Sequence, residues 1–190
     1  MRFPTLIEPA IRRYVGWLVA FFVLTAVLGW LAPERAMAPV IDRLRPLMLA
    51  LRSLPTWQLF LVILANNAIK TFFAMMGGVL LGILPTVAIA SNGFLLGALC
   101  HRASHLMRPL QLVGALVPHG MFELPAVFIA AGYGLWIGAG VLERMGGQEG
   151  VDIAGRVRHA VRRYLQIVLP LLIVAAAIES TLSRWARSAG

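Results

Sequence analysis

The sequence predicts an all-α fold: a polytopic transmembrane bundle of about five helices, with one further amphipathic helix at the membrane interface. Of the 190 residues, 59% are hydrophobic and only 13% are charged, whereas soluble domains are nearer half apolar and about a quarter charged. Several apolar runs also approach the roughly 20 residues that a helix needs to cross the hydrocarbon core. We therefore expect residues 1–190 to form a single integral membrane domain, without a large water-soluble domain.

The first predicted span covers residues 15–32 and follows Arg2, Arg12 and Arg13. Its apolar run exceeds the roughly 7–15 residues of a cleavable signal peptide, so we interpret it as an uncleaved signal anchor. Residues 35–54 are amphipathic, because their apolar side chains recur at helical spacing and the charged ones fall outside that arc. A helix in the headgroup plane fits this pattern, and a loop helix packed on its neighbours fits it equally well.

Two spans fit between residues 57 and 100, and the pattern allows two registers. In one register, helices at 57–76 and 78–100 meet at the turn Gly77-Gly78. In the other, the chain turns at Asn92-Gly93, which is the stronger turn signal by residue type. The stretch before Ala68 then becomes a half-buried or re-entrant piece. The sequence leaves both registers open.

Two more spans are predicted at 116–141 and 164–182, separated by a basic connection at 143–163. In the whole chain, basic residues outnumber acidic ones by 17 to 8. Arginines at the ends of spans contact anionic lipid and fix the topology of membrane proteins. We therefore expect membrane lipids as partners and no nucleic acid. The single cysteine, Cys100, cannot form an internal disulfide.

An imidazole and a carboxylate enter the fourth predicted span. His119 and Glu123 are four residues apart and therefore share one face of a helix. A charged group at the bilayer centre costs a few kcal/mol on insertion scales, so such residues face a cavity or each other. Three roles fit the pair: a metal site, a proton-handling pair, or a hydrogen bond that fixes helix contacts.

A divalent metal such as zinc is the cofactor that this pair would suit, but two ligands do not complete a site. Zinc takes three or four protein ligands, and the nearest further donors by type are His101 and His105. A symmetric homodimer would instead supply a second copy of His119 and Glu123. The spacing is also less specific than the HExxH pattern of zinc enzymes.

A second polar group, Asn66, Asn67 and Lys70, interrupts the apolar run after Trp57. Lys70 requires an acidic partner in the apolar zone, for which Glu123 is the best candidate, or it extends to the headgroups along its own stem. We predict one buried polar cluster that contains His119, Glu123, Asn66, Asn67, Lys70 and Asn92.

Small residues predict close helix packing. Gly134 and Gly138 form a GxxxG pair, and Gly78 with Gly82 repeats the pattern. Glycines at this spacing allow helices to approach closely, within one chain or between two copies. Enzyme signatures such as HExxH, GxSxG and the P-loop do not occur in the sequence, which favours a protein that is not an enzyme.

The ordered set NNAIK, GG, LGILP, SNGFLLG and LVPHGMFELPAVFIAAGYGL resembles the stage II sporulation protein M family. Its most specific element is the run Pro118-His119-Gly120-x-x-Glu123-x-Pro125-Ala126. The resemblance implies a multi-pass protein of the cytoplasmic (inner) membrane of a bacterium or archaeon. The namesake of the family helps to assemble an envelope complex with peptidoglycan-degrading partners, and homologues also occur in organisms that make no spores.

These observations favour a membrane scaffold or assembly factor for complexes that remodel the cell envelope. Its expected partners are other envelope membrane proteins, with homodimer formation through the glycine faces as a further expectation. A metal-binding protein or metal-dependent intramembrane enzyme centred on His119 and Glu123 is the first alternative. A transporter component is the second, because transporters also contain polar groups and Pro or Gly breaks within spans.

Overall fold

The computed structural model describes residues 7–33, 46, 50, 51, 53–105 and 109–188, and it describes the side chains of these residues except for 109–119 and 185–188. The predicted amphipathic connection at 35–54 lies almost entirely outside the described residues. The described residues form helices, turns and bends and contain no β-strand. Six α-helices have both ends within the described residues: α1 (Pro9–Leu31), α2 (Thr56–Met76), α3 (Ile83–Ser104), α4 (Pro109–Met145), α5 (Ile153–Arg163) and α6 (Leu169–Ser188).

Among the residues that the structure describes, five helical segments are long and apolar enough to cross a membrane, which confirms the predicted all-α polytopic bundle. They are Pro9–Leu31, Thr56–Val79, Ile83–Ser104, Gly120–Met145 and Ile153–Arg184. The last segment contains both α5 and α6, because a π-helical turn at Tyr164–Val168 joins these two helices without a break. Such single-turn π segments occur often at functional sites.

Helix α4 is the centre of the bundle. In its most apolar window 56% of the residues are buried, against 22–33% in the other four spans. The largest buried cluster gathers Ala126, Ile129, Tyr133 and Ile137 of α4 with side chains from α1, α2, α5 and α6. At 37 residues and a rise of about 1.5 Å per residue, α4 is about 55 Å long, well beyond the roughly 30 Å of the hydrocarbon core.

Two helix pairs flank α4. Helix α1 packs mainly along α3, and α2 packs mainly along α6. Glycines bring α1 and α3 together, because a Cβ atom at Gly29 or Gly97 would overlap backbone atoms of the facing helix. Gly93 makes a similarly close contact, because a Cβ atom there would meet the hydroxyl of Thr25 and the backbone of Phe22.

The chain reverses between α2 and α3 at residues 77–82, and not at Asn92-Gly93, which lies inside α3. Gly82 ends the reversal with φ +77°, a left-handed conformation that suits glycine and disfavours other residues. Asn92-Gly93 stays helical because close packing on α1 requires a glycine there, so a tertiary contact overrides the local turn signal.

The four glycines predicted to pack, Gly78, Gly82, Gly134 and Gly138, lie together. They form one seam in which the reversal between α2 and α3 meets α4. A Cβ atom on Gly78 would overlap the backbone of Gly134, and one on Gly138 would come within 2.5 Å of the backbone nitrogen of Gly82. The seam therefore holds the reversal against the central helix within this one chain.

Candidate functional site

A cleft opens between α2 and α3, and α4 forms its floor. Its volume is about 460 Å³. The floor consists of Val127, Ala130 and Ala131, while Lys70 and Asn92 bring polar groups from the two walls. The full lining, which we call the α2–α3 cleft, is Lys70, Thr71, Phe73, Ala74, Leu84, Ala88, Ile89, Ser91, Asn92, Val127, Ala130 and Ala131.

The polar side chains of this cleft lie deep within the membrane-spanning helices. Lys70 is six residues from the end of α2 at Met76, which places it about 9 Å from that end at 1.5 Å per residue. Asn92 is nine residues from the start of α3 at Ile83, or about 14 Å. Since the two helices meet at that end, the ammonium and the amide line one cleft, both inside a span of about 30 Å.

Lys70 is exposed at the surface of the chain. Within the part of the chain that the structure describes, its ammonium group makes no hydrogen bond or ion pair. A lysine at the bilayer centre costs about 2.5–3.5 kcal/mol on insertion scales. Charged residues in spans therefore face partners or polar cavities. Its position identifies Lys70 as the first functional candidate.

Glu123 lies in a second, smaller cavity of about 220 Å³. That cavity shares Asn92 and Val127 with the α2–α3 cleft, so Lys70 and Glu123 stand on either side of Asn92. Glu123 is half-buried. The ion pair between Lys70 and Glu123, one of the two alternatives for Lys70, is not formed; the two residues line adjoining cavities instead.

The predicted buried polar cluster is not buried within this chain. Asn66, Lys70 and Asn92 are exposed and Asn67 is half-buried, and the amide of Asn66 donates to the amide oxygen of Asn67 over 3.2 Å. The physical reason is that α2 packs on α6 and α4 through the face that carries Leu64, Ala68 and Phe72, which leaves these polar side chains at the surface of the bundle.

The proposed metal ligands do not converge among the described side chains. No group of three His, Cys, Asp or Glu residues that could hold a metal occurs in the described part of the chain. His101 and His105 contact each other, with ring centroids 4.9 Å apart, and neither lines the cavity that contains Glu123. The side chain of His119 lies outside the described residues, so its role with Glu123 stays a prediction.

A tyrosine anchors the turn of α2 that carries Lys70. The hydroxyl of Tyr164 donates to the backbone carbonyl of Ala68 over 2.7 Å and lies 3.0 Å from the hydroxyl of Thr71. The ring of Tyr164 also packs edge-on against Phe72. Because Thr71 and Phe72 follow Lys70 directly, these contacts fix the rotation of α2 and hold Lys70 away from the bundle core.

A second polar site, at the start of α1, was not predicted from the sequence. The carboxylate of Glu8 accepts hydrogen bonds from Tyr133 and His159, each over 2.8 Å, and its other oxygen lies 2.9 Å from Nε of Arg163. Arg163 is almost fully buried, with 7% of its side chain exposed. We call Glu8, Tyr133, His159 and Arg163 the ionic cluster.

The ionic cluster stabilises the charged form of Glu8. Burial alone would raise the pKa of Glu8, but the hydrogen bonds from His159 and Tyr133 and the charge of Arg163 outweigh it and lower the pKa. Glu8 directly precedes the first span. The cluster therefore ties the beginning of α1 to both α4 and α5.

Arg156, three residues before His159, also ties α5 to α4. Its guanidinium donates to the backbone carbonyl of Trp136 over 2.9 Å and to the carboxylate of Glu143 over 2.5 Å, and it lies 5.2 Å from the centre of the Trp136 ring. Asp152 caps α5 by accepting from the backbone N–H of Gly155 over 2.7 Å. The amphipathic helix α5 is thus held on the bundle by specific polar contacts.

The sequence carries only a weak signal for the ionic cluster. Glu8 and His159 are 151 positions apart, so no local pattern links them. The spacing of His159 and Arg163 places them on one face of α5, and an acid directly before an apolar span requires a partner. These two signals name the residues but not their contact.

Comparison with known proteins gives a family match over most of the chain. The profile described as stage II sporulation protein M matches residues 18–184. An uncharacterized protein of Methanocaldococcus jannaschii is 37% identical over 70 residues, which are 36% of this chain and 39% of that protein. The match thus spans about two-fifths of the length of this relative. No solved structure gives a significant match.

Proposed function

The chain belongs to the stage II sporulation protein M family, and from this premise we propose that it is a membrane scaffold that holds other cell-envelope proteins together. The observation that carries the proposal is the exposed Lys70 in the α2–α3 cleft, inside the apolar span Thr56–Val79. A polar group in this position is expensive next to lipid. A helix of a partner protein would satisfy it and cover the cleft.

The exposed faces of the outer helices support a binding role over a catalytic one. Phe73 beside the cleft is 63% exposed, and Val87 and Ile69 are 57% and 56% exposed. These side chains can pack against another helix as well as against lipid. Within the described side chains no three potential metal ligands meet, so no described residue set favours the metal-dependent enzyme.

We place this activity in the cytoplasmic membrane of a bacterium or archaeon, with envelope-remodelling proteins as partners. The namesake of the family has such partners, and for this chain they belong to the proposal. The five apolar spans support insertion into a membrane.

Site-specific photo-crosslinking tests the scaffold proposal. A photoreactive amino acid replaces Phe73 at the cleft, or Trp17 on α1 as the matched control, because both are exposed aromatic residues at 63% and 74%. After irradiation of native membranes, adducts are identified by mass spectrometry. We expect position 73 to capture a discrete envelope membrane protein, and this adduct to be lost in Lys70→Leu.

Lipid adducts alone at both positions would contradict the scaffold proposal. Equal capture of the same proteins from positions 73 and 17 would also contradict the assignment of the cleft. Expression and detergent extraction of each variant at wild-type levels control for misfolding.

A further inference from the structure

We propose that the α2–α3 cleft receives a transmembrane helix of a partner that carries an ionised Asp or Glu side chain, which pairs with Lys70 within the membrane-spanning part of the bundle. This inference rests on the proposed scaffold function and specifies the chemistry of the partner. It is argued from the charge, depth and shape of the cleft.

Charge complementarity is the first argument. Lys70 brings the only charged side chain among the twelve residues that line the cleft, all of which the structure describes. The amide of Asn92 adds donor and acceptor groups beside it and makes no hydrogen bond with described residues. A carboxylate is the group that an ammonium and an amide donor bind best together, because charge-assisted hydrogen bonds are the stronger ones.

Depth is the second argument, and it separates a helix from a lipid headgroup. Lys70 lies about 9 Å from the end of its helix, and its side chain could extend toward that interface. Asn92, however, lies about 14 Å from the same end, and its amide has no long stem. A headgroup could meet Lys70 but would leave Asn92 uncovered, whereas the side chain of a spanning helix would meet both.

Shape is the third argument. The walls and floor of the cleft carry small side chains at Ala74, Ala88, Ala130 and Ala131. Small residues let two helix backbones approach closely, which is the usual basis of helix association in membranes. The bonds of Tyr164 to Ala68 and Thr71 fix the orientation of the adjacent wall, so the site is pre-organised.

Model transmembrane peptides test the chemistry directly. The probes are three Leu/Ala peptides of about 20 residues that differ only at the central position, which is Glu, Gln or Leu. The full-length chain carries a fluorophore on Cys100, its single cysteine, and association is measured by energy transfer in phosphatidylcholine vesicles. We expect the Glu peptide to bind about tenfold more tightly than the Leu peptide, as estimated from interhelical polar contacts.

Charge reversal supplies the decisive comparison. Lys70→Gln should remove the preference for the Glu peptide, and Lys70→Glu should transfer it to a fourth peptide with a central Lys. Rescue by the reversed pair shows that the variant still folds. The absence of a preference in the wild type, or the same preference in Lys70→Gln, would overturn the proposal.

Three further outcomes are distinguishable. If native mass spectrometry finds an anionic phospholipid that the wild type retains and Lys70→Gln loses, and the peptides show no preference, the occupant is a headgroup and the helix proposal is wrong. If crosslinking at position 73 captures a partner while the peptides show no preference, the scaffold function stands and the carboxylate proposal fails. If the peptides show the preference but crosslinking captures no partner, the pairing of Lys70 with a carboxylate stands and the scaffold function is overturned.

Discussion

Replacement of Arg163 by methionine should destabilise the protein more than the same replacement of Arg158, because Arg163 forms a buried ion pair and Arg158 an exposed one. Arg163 and Arg158 both lie on α5, five positions apart. Nε of Arg163 lies 2.9 Å from Glu8 in the ionic cluster, with 7% of its own side chain and 22% of that of Glu8 exposed. Arg158 lies 3.6 Å from Asp152, with 77% and 67% exposed. Arg158→Met is therefore the matched control.

The expected magnitudes follow from these exposures. Removal of one partner of a buried ion pair costs about 3–5 kcal/mol, because the other charge stays buried. Glu8 keeps its hydrogen bonds from His159 and Tyr133 in Arg163→Met, so we expect the lower limit, about 3 kcal/mol. An exposed pair contributes about 0–1 kcal/mol, which is the expected cost of Arg158→Met.

Reversible unfolding in mixed detergent micelles, titrated with a denaturing detergent, measures these differences. Adding Glu8→Gln completes a double-mutant cycle that isolates the pair term. In the absence of Glu8, the cost of Arg163→Met should fall, because the carboxylate no longer stays behind unpaired. Equal costs for the two arginine variants, or a coupling energy between Glu8 and Arg163 near zero, would refute the assignment of the ionic cluster as a structural clamp.

Three more predictions concern Glu8, Gly97 and Tyr164. The pKa of Glu8 is lowered in the folded chain from its ordinary value of 4.5. The carboxylate therefore contributes to the free energy of unfolding above pH 4.5, and this contribution is lost as the pH falls through the lower pKa of the folded state. The free energy of unfolding, measured against pH, should therefore decrease below about pH 4.5, and Glu8→Gln should flatten this decrease. Gly97→Ala should destabilise the chain by about 1–3 kcal/mol because its methyl group overlaps α1, while Gly16→Ala, with open space around it, should be neutral or slightly stabilising in the same micelle assay; equal effects would contradict the close packing of α3 on α1. Tyr164→Phe should cost about 1 kcal/mol and reduce the discrimination between Glu and Leu peptides, whereas unchanged discrimination would show that the Tyr164 anchor does not orient Lys70.

Much of the fold could be predicted from the amino-acid sequence because membrane insertion is governed by local composition. A run of about 20 apolar residues must be helical in lipid, since each backbone polar group needs a partner within its own segment. The five spans follow from this rule. The small-residue pattern at Gly134 and Gly138 likewise marked a face that packs closely, because only glycine allows such an approach.

The candidate site could be predicted only in part. The sequence indicated Lys70 and Asn92 as polar groups in apolar surroundings, but it placed them in a buried cluster with Glu123. Whether a helical residue faces the core or the membrane depends on which neighbours cover its helix. With five apolar helices, all faces look alike in hydropathy, and the packing of α2 on α6 and α4 decided that Lys70 is exposed.

Composition and local spacing alone therefore determined that this chain crosses the membrane several times, carries polar groups within its spans and has glycine faces for close packing. The tertiary structure decided the register at Gly77-Gly78, the exposure of Lys70 and the contact of Glu8 with His159 and Arg163. The physical reason is range. Backbone satisfaction and lipid solvation act on consecutive residues, whereas helix packing and ion pairing join distant residues such as Glu8 and His159, which are 151 positions apart.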